Sequence, residues 1–217
     1  MLSLIIVCIC ALLAITSSKF RDTELSPIPL KISDQLSKLW DIAHQGMREN
    51  RLLRAEKALL TILKMDEKNA AAYNRLGILY AKQKEYKDAI DCFEIASSIE
   101  PTASSLHNLG LIYLETENYN KAAVAFEQAL KLEDTLAARH IAYAKVQEKL
   151  GNDKIVIAEL EKAAEIEPNK ESFMLLHKAY ESRGMQEDAA LIAKRIETLI
   201  MPAGQPKRIM RPKRVVV

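Results

Sequence analysis

The sequence predicts an all-α fold of about five helix-turn-helix repeats, and three observations support this prediction. A block of about 34 residues recurs along the chain, which is typical of proteins that stack one helical unit on the next. Within each block, apolar residues lie three and four positions apart, as on the buried face of a helix. Strand-like runs are confined to residues 215–217, and only 6 of the 217 residues are glycine. One helical domain with two non-globular ends therefore fits the length.

Two copies of the block are clear, and both show the same order of large, small and aromatic residues. The first copy has Tyr73, Leu76, Gly77, Tyr80, Ala89, Phe93, Ala96 and Pro101. The second copy has Leu106, Leu109, Gly110, Tyr113, Ala122, Phe126 and Ala129, with Asp134 in place of the proline. This order resembles the W-x2-L-G-x2-Y…A-x3-F…A…P pattern of the tetratricopeptide repeat (TPR) family.

The resemblance implies a right-handed superhelical TPR solenoid over residues 36–201. Its five repeats would cover residues 36–69, 70–102, 103–136, 137–169 and 170–201. The last copy has His177 where the family has a small residue. Degenerate end repeats are expected, because a terminal unit meets only one neighbour.

Small residues stand where the two helices of a repeat would cross. Gly77, Gly110 and Ala144 hold this place in three successive copies. Because they lack bulk, we expect the aromatic rings of Phe93 and Phe126 to fill the space beside Gly77 and Gly110.

Residues 1–18 are apolar and contain no charged side chain. About 18 helical residues cross most of a ~30 Å hydrocarbon core, so the segment is predicted to be a transmembrane helix that acts as a signal anchor. The alternative is a cleaved secretory signal with Thr16, Ser17 and Ser18 at the cleavage site, which would make the protein an exported one. Residues 19–35 contain Pro27 and Pro29 and are interpreted as a spacer, with a helix start at Ser33.

The basic residues predict an orientation. Lys19 and Arg21 follow the apolar segment and nothing basic precedes it, so the repeat domain is expected to face the cytoplasm from a single-pass membrane protein. Residues 202–217 are predicted to be a disordered basic tail. Its cations are candidates for contact with anionic lipid, whereas nucleic-acid binding is not favoured. These candidates are Lys207, Arg208, Arg211, Lys213 and Arg214.

No residue pattern indicates catalysis, a cofactor or a bound metal. The three cysteines, Cys8, Cys10 and Cys92, form no CxxC pair, and Cys92 is interpreted as a packing residue. His107 and His140 hold nearby places in successive first helices, but neither has a second ligand at i+3 or i+4. Glycines are scattered singly and form no phosphate-binding loop. The protein is therefore not expected to be an enzyme.

The first helices of the repeats are expected to line a concave groove for a protein or peptide partner. Several of these residues are apolar although they would face solvent, which is typical of a binding surface. The predicted groove residues are Trp40, His44, Met47, Asn74, Ile78, Ala81, His107, Asn108, Leu111, Leu114 and Lys145. Some TPR proteins clamp the acidic tails of chaperones with a Lys/Asn/Arg set; only Asn108 matches that set, so such a ligand is not favoured.

The sequence thus predicts a membrane-tethered TPR adaptor or scaffold without catalytic activity. An exported TPR protein is one alternative. A self-associating structural subunit, or a non-catalytic subunit of an enzyme complex, is another.

Overall fold

The computed structural model describes residues 30–200, and side chains are described for residues 33–199. This part of the chain forms ten α-helices and no strand. The helices are α1 (Leu30–Arg48), α2 (Leu52–Met65), α3 (Ala70–Gln83), α4 (Tyr86–Ile99), α5 (Ala103–Glu115), α6 (Tyr119–Leu132), α7 (Ala137–Lys149), α8 (Asp153–Ile166), α9 (Lys170–Ser182) and α10 (Gln186–Ile200). The all-α prediction is confirmed for these residues.

The chain divides into two compact units at Glu67 and Lys68. In the first unit, α1 packs against α2, and Ala43, Leu59 and Ile62 are fully buried. A Cβ atom on Gly46 would lie 3.0 Å from the Cβ and N atoms of Ala55, so the two helices approach closely at this glycine.

In the second unit, four helix pairs follow one another. Within each pair the first helix packs along the second, and α4, α6 and α8 also contact the first helix of the next pair. The first helices of successive pairs touch as well, α3 with α5 and α5 with α7. A stack of this kind buries a continuous core although no single pair could do so alone.

In two of the pairs, a glycine and a phenylalanine meet where the two helices of the pair cross, as the sequence predicts. A Cβ atom on Gly77 would lie 2.7 Å from the Phe93 ring, and one on Gly110 would lie 2.9 Å from the Phe126 ring. Real Cβ atoms do not approach that closely, so each ring occupies the space that the missing side chain leaves. Both rings are almost completely buried. The predicted crossing is confirmed.

The last pair has residues of exchanged size at the two places of this crossing. His177 holds the place of Gly77 on α9, and Ala193 holds the place of Phe93 on α10. His177 is half-buried, with its Nδ1 atom 3.4 Å from Glu181 one turn later on the same helix. Helices α9 and α10 still pack together, so the departure at His177 does not prevent the last pair from forming.

Side-chain caps start several helices. Asn69 accepts a hydrogen bond from the Ala72 amide before α3. Reciprocal capping boxes join Thr102 with Ser105 and Asn169 with Ser172 before α5 and α9. These bonds satisfy amides that a helix leaves unpaired at its start.

The turns inside the pairs share a backbone conformation. Gly151 and Gly184 have φ values of 76° and 73°, and Asn50, Lys84 and Glu117 take similar positive values in the other turns. Glycine adopts this conformation without strain, which explains its presence at the last two turns.

Before α7 the chain lacks a capping side chain, and two buried residues of this helix instead bind the turn that precedes it. Arg139 donates hydrogen bonds to the Glu133 carbonyl at 3.0 Å and to its carboxylate at 2.9 Å. The ring atoms Nε2 and Nδ1 of His140 lie 2.9 Å from the Asp134 carbonyl and 2.6 Å from the Glu159 carboxylate. These bonds hold the α6–α7 turn, where Asp134 replaces the proline of other copies.

Three predicted segments lie wholly or partly outside the described residues. The transmembrane helix at 1–18 and the basic tail at 202–217 lie outside them entirely, and α1 already begins at Leu30, inside the predicted spacer at 19–35 and before Ser33. Between residues 30 and 200, none of the helices combines the length and the apolar character needed to cross a membrane.

Replacing either crossing glycine by leucine should destabilise the fold. The added side chain would overlap the Phe93 or Phe126 ring, so Gly77→Leu and Gly110→Leu should each lower the free energy of unfolding by about 1 to 3 kcal/mol. Urea unfolding followed by circular dichroism measures this change. Ala71→Leu is the matched control, because Ala71 is exposed on α3. Wild-type stability of both glycine variants would contradict the crossing.

Candidate functional site

The predicted groove residues fall into both units, and those of the first unit lie on α1. Trp40 is half-buried and its ring is 5.5 Å from that of His44, which is exposed. Met47 is buried and therefore does not present an apolar surface to solvent.

In the second unit, two asparagines of the predicted groove are brought together. The Asn108 amide on α5 donates a hydrogen bond to the Asn74 side-chain oxygen on α3, over 3.3 Å. Both side chains are half-buried. Their contact lies where two successive first helices touch, so polar amide groups of adjacent repeats form one continuous surface.

The apolar groove residues differ in exposure. Leu111 on α5 is 39% exposed. Ile78, Ala81 and Leu114 are only half-buried and pack against the central core that includes Phe93 and Phe126. Their position at the edge of the core reduces the apolar surface that they offer to a partner.

His107 occupies a largely apolar place beside this surface. Its ring meets the Phe126 ring edge-on, with 5.4 Å between the ring centres. Its buried Nδ1 atom has no hydrogen-bond partner among the described residues. Burial lowers the pKa of His107, and the nearby Arg139 cation lowers it further. Both effects disfavour a charged imidazole in the folded protein.

Lys145 is exposed on α7 and borders a cavity of ≈ 220 Å³ that α7, α8 and α9 line. Apolar residues of all three helices form part of its wall, Lys178 is a second cation, and Glu148 is an anion. The sequence interpretation missed Lys178 although it holds the same place in the last repeat as Lys145 in the one before. Comparing equivalent places across all copies would have found it.

The other candidate residues for chemistry have structural roles. Both ring nitrogens of His140 already contact Glu159 and Asp134 in the α6–α7 turn. Cys92 on α4 is half-buried, and burial together with Asp88 and Asp91 raises its pKa to about 11. A thiol with that pKa stays protonated at neutral pH, which suits packing. Between residues 30 and 200, no group of three metal-ligating side chains is positioned to hold an ion.

A tyrosine–glutamate contact, also missed in the sequence, recurs between pairs. The Tyr113 hydroxyl of α5 donates to Glu94 of α4, and the Tyr180 hydroxyl of α9 donates to Glu161 of α8, the latter at 2.5 Å. Burial and the glutamate carboxylates raise the pKa of both tyrosines. Each contact joins a first helix to the second helix of the preceding pair. The tyrosine and the glutamate are 19 positions apart in both contacts, and this equal spacing was visible in the sequence.

Residues 68–135, which form α3 to α6, match the family model of the tetratricopeptide repeat. The fold is that of tetratricopeptide repeats. A crystal structure of MamA protein is similar with a TM-score of 0.68 and 21% identity, over 76% of this chain and 92% of that one. MamA 41-end from Desulfovibrio magneticus RS-1 is similar with a TM-score of 0.68 and 15% identity, over 76% and 95%.

A third solved structure is described as YrrB, a TPR protein with an unusual peptide-binding site. It is similar with a TM-score of 0.64 and 18% identity, over 85% of this chain and 91% of that one. No curated protein matches the chain. At these identities the similarities show a shared fold. In this chain, Asn108 on α5 bonds to Asn74 on α3, and Leu111 follows Asn108 by one helical turn.

The pKa of His107 predicts a pH-dependent stability. Since the folded protein holds this pKa below 6.5, the unfolded chain binds a proton more readily, and stability should fall as the pH drops below about 6.5. Replacing His107 by phenylalanine keeps a ring beside Phe126 and removes the titration. Urea unfolding of both proteins between pH 7.5 and 5 should show a smaller loss of stability for His107→Phe. Equal losses would contradict this assignment.

Proposed function

We propose that this protein is a membrane-tethered adaptor that binds a protein or peptide partner on its first helices and has no catalytic activity. The binding surface proposed is the inner groove of the second unit. Its residues are Asn74, Ile78, Ala81, His107, Asn108, Leu111, Leu114 and Lys145. The contact between Asn74 and Asn108 beside the exposed Leu111 is the observation that carries the proposal.

This surface offers the groups that an extended peptide requires. A side-chain amide has two donor hydrogens and an acceptor oxygen, so the Asn74–Asn108 contact leaves capacity for bonds to a peptide backbone. Leu111 provides an apolar contact for a partner side chain, and the cavity beside Lys145 can receive another. Polar groups would set the register and apolar groups would supply most of the affinity. The fold shared with YrrB, described as having a peptide-binding site, supports this class of ligand.

The membrane tether is proposed from the sequence. Residues 1–18 are mostly apolar and contain no charged side chain, and Lys19 and Arg21 follow them. A single span with these cations on the cytoplasmic side would keep the groove facing the cytoplasm. The five basic residues from Lys207 to Arg214 would add attraction to anionic lipid, about 1 kcal/mol for each residue close to the surface.

Leu111→Glu should abolish partner capture, because a carboxylate at this place cannot be buried against an apolar partner side chain. The measurement is in-cell crosslinking of the full chain, followed by mass spectrometry of the captured proteins. Val124→Glu is the matched control, since Val124 is an exposed apolar residue on the second helix of the same repeat. Partners that are retained by Val124→Glu and lost with Leu111→Glu support the groove. Retention by both variants would place the binding surface elsewhere.

Protease treatment of membrane vesicles tests the tether. Vesicles with the cytoplasmic face outward should contain the full-length chain, and a tag placed after Val217 should be digested. A protected tag on a chain shortened by about 18 residues would mean export with a cleaved leader. That result would refute the cytoplasmic adaptor while leaving the groove intact.

A further inference from the structure

The pair α1–α2 carries an apolar groove that the proposed function does not use. The groove surrounds a cavity of ≈ 430 Å³. Its lining residues, which define the α1–α2 groove, are Leu39, Ile42, Leu53, Arg54, Lys57, Ala58 and Thr61. Leu53 is 64% exposed, and both charged residues of the lining are basic. The groove therefore presents an exposed apolar side chain next to two exposed cations.

The last pair shows what covers the equivalent face within this same chain. The residues in equivalent places are Leu39, Ile42, Lys57, Ala58 and Thr61 in the first pair, and Phe173, Leu176, Leu191, Ile192 and Arg195 in the last. In the last pair, helix α8 lies against this face and contributes Glu161, Ala164 and Glu165 to the cavity there. The Tyr180 hydroxyl bonds to Glu161 across it. In the last pair, the occupant of this face is therefore a helix that presents an alanine and two glutamates.

We propose that the α1–α2 groove binds an acidic amphipathic helix of a partner protein. The apolar side of that helix packs on Leu39, Ile42 and Leu53, and its carboxylates lie beside Arg54 and Lys57. Buried apolar area supplies most of the affinity. The exposed ion pairs add little affinity each but select an acidic helix over a basic one.

The charges disfavour two other occupants of the α1–α2 groove, which are the preceding segment of this chain and a second copy of the chain. In the preceding segment, the places of Glu161, Ala164 and Glu165 are held by Pro27, Leu30 and Lys31, none of which is acidic.

A second copy of the chain would have to present its last helix, because the glutamate face of its α8 is already covered by α9 and α10. On α10 the places of Glu161 and Glu165 are held by Lys194 and Thr198. Lys194 would then approach the cations Arg54 and Lys57, which is unfavourable.

The test uses the full chain and a fluorescent peptide of residues 153–168, held helical by a side-chain crosslink on its outer face. Fluorescence anisotropy should show binding to the wild type, weakened about tenfold by the double variant Arg54→Glu/Lys57→Glu. A peptide with Glu161→Lys and Glu165→Lys should bind the wild-type protein poorly. It should bind the double variant about as tightly as the unmodified peptide binds the wild-type protein. Lys64→Glu/Lys87→Glu is the matched control, since both lysines are exposed and lie outside the groove.

Three outcomes would overturn the proposal. The first is no binding, or binding that Arg54→Glu/Lys57→Glu leaves unchanged, as expected if the peptide enters the site of α8 itself. The second is self-association of the wild type in light scattering that this double variant alone removes, which would make a second copy the occupant. The third is failure of the peptide together with Arg54- and Lys57-dependent binding to phosphatidylglycerol vesicles, which would assign the groove to lipid. None of these three outcomes affects the Leu111→Glu test, because that test measures partner capture by the inner groove.

Discussion

The close contact between a glycine on one helix and a phenylalanine ring on the next supports the centre of this structure. Gly77 with Phe93 joins α3 to α4, and Gly110 with Phe126 joins α5 to α6, so each contact holds one helix pair together, and both rings are almost completely buried. Because the core is continuous from α4 to α7, a pair that could not form this crossing would also lose the surface on which its neighbour packs. The helix faces that remain available for partners are defined by this packing.

Polar contacts between pairs adapt the stack to local changes in sequence. Tyr113 and Tyr180 lie near the ends of their first helices, and each hydroxyl donates to a glutamate of the preceding second helix. In the pair between them Gln147 holds this place, and buried His140 contacts Glu159 of its own pair and the Asp134 carbonyl in the α6–α7 turn. A residue that looks like a candidate metal ligand thus has a structural function, since both of its ring nitrogens are already engaged.

The repeat architecture leaves two surfaces of different chemical character. The inner groove combines the amides of Asn74 and Asn108 with Leu111 and suits an extended peptide. The α1–α2 groove combines leucines with Arg54 and Lys57 and suits a helix, because α8 occupies the equivalent face of the last pair. An adaptor with both surfaces could hold two partners of different shape at once.

The sequence by itself determined the helical fold, the place of the helix pairs and the meeting of Gly77 with Phe93. These features depend on residue spacing along one helix and on a period that the chain repeats, so they can be inferred without knowing the neighbours. Only the tertiary structure decided that Met47 is buried, that Ile78 and Leu114 pack against the core, and that Asn108 bonds to Asn74. Exposure and hydrogen-bond partners depend on side chains about one repeat away, whose approach is set by packing and not by spacing.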